Sequence, residues 1–187
     1  MNFVLPEMMP AQLEGIRSLI RGEVKTGKTA LLSLLLLKFI EESYRDLTVM
    51  DFAPEMLRGV GGKMSLPPAA AGLRVFSPPI AAPRLSGGSP REVEALAHKN
   101  GAVLDQVLAA YQAEPGAVLF INDVSLYLQA REPEMLLDAL ATTPTVVMNG
   151  YQGESLGRDD FSQEERARME RLAATCDLVI DLPFKTT

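Results

Sequence analysis

The chain has one cysteine and one histidine among its 187 residues. Cys176 alone cannot close an intrachain disulfide, and with His98 it falls short of the four ligands of an ordinary zinc site. A single cysteine at the head of the apolar run 176–182 reads as a small core residue. His98, next to Lys99 on an expected helix, reads as solvated. Basic residues are in the minority, 18 Lys and Arg against 24 Asp and Glu, so the net charge is -6 and the pI lies near 4.9. Nucleic-acid phosphates are repelled on average, which argues against sequence-independent binding to nucleic acid. The most hydrophobic run, "ALLSLLLLKFI" (30–40), is shorter than the roughly 20 residues needed to cross a bilayer. "MNFVLPEMMPAQ" (1–12) has no basic start, long apolar centre or small-residue cleavage site, so no secretory leader is read there. The expectation is a soluble, cytoplasmic protein without a membrane partner.

Apolar periodicity alternates between strand and helix over 1–187, which predicts a single domain. Strands are expected at 16–22, 47–52, 116–123, 145–151 and 176–182. A helix apolar nearly all round runs from Thr29 to about Tyr44, and such a helix packs against a sheet. Ser89, Pro90 and Glu92 start a helix reaching about Gln112, with a bend or break at Asn100-Gly101. Further helices are expected over 134–142 and after a capping box formed by Ser162 and Glu165. Between Pro54 and Pro90 lie seven of the 13 prolines and six of the 14 glycines. That segment reads as a mobile or functional loop, interrupted by a strand at "LRVFSPP" (73–79). Strands spaced by helices predict an α/β fold, three-layer α/β/α, with a mainly parallel central sheet.

The strongest chemical signal is "GEVKTGKT" (22–29). Gly22, Glu23, Val24, Lys25, Thr26, Gly27, Lys28 and Thr29 match G-x-x-x-x-G-K-[ST], and Ala30 continues into the apolar helix. Glycines at those two places let the backbone curl so that successive N–H groups point at phosphate oxygens. The helix that follows adds the positive end of its dipole. Lys28 would neutralise β- and γ-phosphate charge, and the Thr29 hydroxyl would sit on Mg²⁺.

On these residues the chain resembles the P-loop NTPases over most of its length. The resemblance implies their fold and an acid at the end of an apolar strand to hold Mg²⁺. Asp123 after "AVLFIN" supplies that acid. One main strand between the phosphate-loop helix and that acid is similar to the RecA-like layout. That layout implies a water-activating carboxylate at Asp51 or Glu55, and a γ-phosphate sensor at Asn149 or Gln152. Val124 follows Asp123, so the Asp-Glu pair of many ATPases is absent. No Asn/Thr-Lys-x-Asp stretch occurs, which favours ATP over GTP.

Three functions follow as expectations. The first is a Mg-ATP-dependent ATPase with Lys28, Asp51 and Glu55 catalytic and Thr29 and Asp123 on the metal, hydrolysis moving the segment that holds Arg58 and Lys63. The second is a small-molecule kinase or other transferase with a lid carrying Arg158, Arg166 and Arg168. The layout of its second half is also similar to that of the corrinoid adenosyltransferases. The third is a nucleotide-dependent switch that binds a protein partner. The oligomeric state stays open, a homo-oligomer with a neighbour's arginine included.

Overall fold

The computed structural model describes residues 8–67 and 73–183. Residues 1–7, 68–72 and 184–187 lie outside them. With them go most of the stretch read for a leader, part of the Pro/Gly-rich segment and the last residues of the tail.

Six parallel strands form one sheet: β1 (Arg17–Gly22), β2 (Leu47–Asp51), β3 (Arg74–Phe76), β4 (Val118–Asn122), β5 (Thr145–Tyr151) and β6 (Leu178–Leu182). Their spatial order is β3-β2-β4-β5-β1-β6. Every adjacent pair is parallel. The helices are α1 (Lys28–Glu41), α2 (Pro83–Ser86), α3 (Pro90–Ala113), α4 (Ser125–Leu128), α5 (Glu134–Ala141) and α6 (Asp160–Ala173). This is a three-layer α/β fold with an all-parallel sheet, with β1, the glycine loop and α1 in direct succession.

Side chains alternate across a strand, so each strand feeds two cores. Leu19, Met50, Leu119, Ile121, Val146 and Met148 face the side covered by α3, α5 and α6. Ile20, Val49, Phe120, Val147 and Ile180 face the side covered by α1 and the short 3-10 turn at Pro10–Gln12. The leucine-rich α1 buries one stripe, Leu32, Leu35, Leu36 and Phe39, while Leu34 stays 38% exposed. An isolated apolar face of that width is what the sheet covers. Arg21 is accommodated on β1 because its guanidinium meets Asp181 of β6 and Glu170 of α6, at 2.6 and 3.0 Å.

Several local details differ from the expectations. Helix α3 passes through Asn100-Gly101 without a break. The Asn100 side chain is engaged elsewhere, accepting from Ala81 N and donating to Ala81 O, both at 3.0 Å. Gly101 leaves room for the Arg131 guanidinium, which a Cβ would meet at 2.9 Å. Helix α6 is capped by Asp159, whose carboxylate accepts from Ser162 N at 2.9 Å, so Ser162 and Glu165 do not form its capping box. An aspartate three residues earlier takes the cap, because a cap must lie outside the first turn. The strand expected over 73–79 shrinks to Arg74–Phe76, stopped by Pro78-Pro79. The four-residue helices α2 and α4 are too short to show a 3.6-residue period.

Phe39 anchors the α1 layer. Its ring is fully buried and lies 5.3 Å from Phe120 and 4.6 Å from Tyr44. Truncation by Phe39→Ala is expected to lower unfolding free energy by about 3–5 kcal/mol in a denaturant titration. A loss below about 1 kcal/mol would mean that α1 is not packed as described.

Candidate functional site

Parallel strands leave a crevice at their carboxyl ends, and here the loop 22–29 sits in it. At Gly22 the backbone has φ 153, and a Cβ would meet the Leu182 carbonyl at 2.7 Å. Gly27 has φ 95 and begins α1 as its N-cap. Both positions therefore need glycine, one for a close approach and one for a left-handed backbone. The first-turn N–H groups of α1 have no carbonyl within the helix. Lys28 folds back over the loop, its Nζ donating to Gly22 O at 2.9 Å and also to Glu23 O. Burial lowers the Lys28 pKa, while Asp123 and Glu23 pull it up. An ammonium held by neutral carbonyls is ready to exchange them for a charged acceptor.

Next to the loop, four side chains tie the strand ends together. Thr29 Oγ1 donates to Asn122 Oδ1 at 3.1 Å. Asn122 Nδ2 donates to Asp51 Oδ1 at 2.8 Å. Asn149 Nδ2 donates to Asn122 Oδ1 at 3.1 Å, and Asn149 Oδ1 accepts from Asp123 N at 2.7 Å. A carboxylate oxygen only accepts and a backbone N–H only donates, so both amide orientations are settled by their partners. Asp51, Asn122 and Asn149 are 4% exposed or less. The Thr29 partner is therefore neutral Asn122, at the last position of β4. Sequence reasoning missed this residue, although it stands beside Asp123 in "FIND".

Asp123 follows with φ 59, a left-handed turn that directs it into the crevice wall. Its carboxylate accepts from the Ser125 hydroxyl. Burial pushes its pKa up, opposed by the Ser125 hydroxyl and the Lys28 ammonium. Asp51 sits deeper, and its two oxygens also accept from Ala53 N at 3.2 Å and Met64 N at 2.7 Å. Glu55 is exposed and does not line the cleft. Among the described residues no group of three or more His, Cys, Asp and Glu side chains could hold a metal ion.

The cleft encloses about 260 Å³. One wall is Val24, Lys25 and Gly27–Ala30, another Pro54 and Gly59–Gly61, a third Ala82–Leu85, and Asp123, Asn149 and Tyr151 line it as well. Lys25 also lines it, with its Nζ 3.9 Å from where a Gly59 Cβ would lie. The other basic residues of interest do not line the cleft. Lys63 donates to Asp51 O and Pro78 O, at 3.1 and 2.9 Å. Arg58 is exposed. Arg158 pairs with Glu154, Arg166 bonds Gly153 O and Gly157 O, and Arg168 bonds Glu132 and Glu164. Gln152 donates to Glu170 at 2.8 Å and does not line the cleft. Arg84 on α2 and Gln129 after α4 also line the cleft, and neither had a signal in the sequence.

Glu23 connects the loop to the segment after β5. Its carboxylate accepts from Glu154 N at 2.6 Å, Ser155 N at 3.1 Å and Val24 N at 3.3 Å. Partial burial raises its pKa, but the Ser155 hydroxyl and these N–H groups outweigh it, and the pKa lies below its ordinary 4.5.

No family model matches the chain, and no curated protein matches it. Among solved structures it is similar to the Pif1 helicase from Candida albicans, with 16% identity and a TM-score of 0.41. That match covers 97% of this chain and 39% of the helicase chain. So distant a likeness carries no functional argument.

The Glu23 contacts make a pH prediction. A carboxyl whose pKa is lowered on folding stabilises the fold fully above its unfolded pKa and loses that contribution as pH falls through the folded one. Glu23→Gln is therefore expected to be less stable than the native chain at neutral pH, with the difference shrinking as pH falls below the ordinary carboxylate range through the lowered pKa of Glu23. Paired urea titrations across that range check it, and a difference independent of pH would refute it.

Proposed function

We propose that the cleft binds the triphosphate of ATP with Mg²⁺ and that the chain hydrolyses it. The observation that carries this reading is the meeting of Lys28, Thr29 and Asp123 at one cleft, at the start of α1 and the carboxyl end of the sheet. The loop amides and Lys28 would take the β- and γ-phosphates. Thr29 would hold Mg²⁺ through its hydroxyl oxygen and Asp123 through water. This fits the donor set: few hard oxygen ligands suit Mg²⁺, which keeps waters and phosphate oxygens in its shell. The metal would neutralise the charge of the transferred phosphoryl group.

Asp51 would serve as a positioning group, since its oxygens accept three hydrogen bonds and it orients Asn122 against Thr29. Asp123 would be the carboxylate best placed to orient a water. Glu55 would reach the cleft only if the turn at Leu57–Val60 moved with it. That turn walls the cleft next to Lys25, which supports coupling between the nucleotide state and the Pro/Gly-rich segment. The lack of a guanine-reading stretch favours ATP over GTP. A transferase remains a second reading, because the cleft continues past Asp123 to Arg84 and Gln129.

Titration calorimetry with ATP and GTP, with and without Mg²⁺, tests the binding step. Lys28→Ala is expected to weaken ATP binding about tenfold to a hundredfold, the loss of one or two charge-assisted hydrogen bonds. ATP binding to neither protein would overturn the reading. In phosphate-release assays, Asp123→Asn is expected to lower turnover about a hundredfold or more, and Glu55→Gln to leave it within about threefold. The opposite ranking would make Glu55 the water-activating group.

A further inference from the structure

Beyond Asp123 the cleft ends at Arg84, Gln129 and Glu165, between the apolar side chains of Leu85, Leu126 and Leu156. Glu165 is 2% exposed. One of its oxygens accepts from Arg84 Nη2, and the other accepts from Gln129 Nε2 at 3.4 Å. Arg84 is held further by Ser162 Oγ at 3.2 Å and lies over the Phe161 ring at 4.9 Å. Its side chain is 9% exposed, and Gln129 is 6% exposed.

This arrangement leaves two polar atoms unused. Arg84 Nη1 and Gln129 Oε1 are buried and have no hydrogen-bond partner. An unmet donor on a charged group and an unmet amide oxygen are costly in a folded chain, and native structures retain few of them. The two side chains grip the two oxygens of one carboxylate, which brings an unmet donor and an unmet acceptor to the same end of the cleft. Glu165 fixes the amide orientation as well, because a carboxylate takes the Nε2 side.

We propose that this end of the cleft is a ligand subsite for a neutral small molecule with a carbonyl oxygen beside an N–H, a lactam or nucleobase edge. The carbonyl accepts from Arg84 Nη1, and the N–H donates to Gln129 Oε1. The apolar walls take the rest of the molecule. A neutral ligand fits better than an anion because Glu165 already offsets the charge of Arg84, and Gln129 Oε1 would repel an anionic oxygen. Both free atoms are also closed off from solvent, so the ligand reaches them as α2 yields at the cleft wall. The subsite deepens the nucleotide reading and rests on it only for its place next to the terminal phosphate.

The test is ligand-detected NMR and calorimetry on the full, nucleotide-free chain, with pyrrolidinone, uridine and inosine as probes. Acetate and inorganic phosphate serve as anions, and cyclohexanol as an apolar alcohol. Saturable binding of at least one amide-edged probe, stronger than cyclohexanol and unaffected by the anions, is the expected result. It should weaken by about tenfold in Gln129→Leu. The double variant Arg84→Met, Glu165→Met removes both members of the buried pair, a change that folded proteins tolerate well. It should keep its melting temperature within a few degrees and lose the probe. No probe binding to the native chain, equal binding to the variants, or displacement by phosphate or acetate would each overturn the proposal. ATP binding is read separately in the same protein, so failure of the phosphate-loop reading and failure of the subsite give different results.

Discussion

The hydrogen-bond chain from Asp51 through Asn122 to Thr29, with Asn149 and the Asp123 N–H joined to it, is the constraint on which the site depends. It links the carboxyl ends of β2, β4 and β5 to the first turn of α1. Each amide has a fixed role because each meets a group that can only accept or only donate. Buried polar networks of this kind are stable when every member is satisfied, and they specify one arrangement of the elements that carry them. The Thr29 hydroxyl is thereby set at the cleft, and Asp123 is turned into its wall through a left-handed backbone.

The loop is held from its other side by a different device. Glu23 accepts N–H groups from the segment after β5, and Arg166 holds the carbonyls of Gly153 and Gly157 in that same segment. These bonds connect the loop, through the segment after β5, to α6. The Pro/Gly-rich stretch is anchored too, through Lys63 on Asp51 O and Asn100 on Ala81. These anchors deliver two different things to one cleft, the turn near Lys25 and the guanidinium of Arg84. The three arginines expected in a lid, Arg158, Arg166 and Arg168, are used for ion pairs and carbonyls around α6.

Much of the fold was legible. The alternation of apolar strands with helices predicts a parallel three-layer sheet, and five expected strands appear close to their expected places. They did so because strands buried on both faces read as continuous apolar runs. Caps were less legible: Asp159 and Ser162 are both good capping residues, and only the path of the chain chose between them. Short helices left no period to read. Asn122 was overlooked because its neighbour Asp123 is the more conspicuous acid, although the hydroxyl of Thr29 points to the amide.

The linear sequence set the glycine loop at 22–29 without help from distant residues. Gly22, Gly27, Lys28 and Thr29 are adjacent in the chain, and their chemistry depends on local backbone geometry and on the helix that follows. It also determined the sheet, since burial on both faces demands apolar runs. What faces the loop across the cleft was set by the packing of distant elements. Arg84, Gln129 and Glu165 lie on separate elements, 45 and 36 residues apart in turn, and no spacing rule relates them. Their meeting depends on how α2, α4 and α6 pack at one end of the sheet, which is set by long-range contacts that a linear reading does not contain.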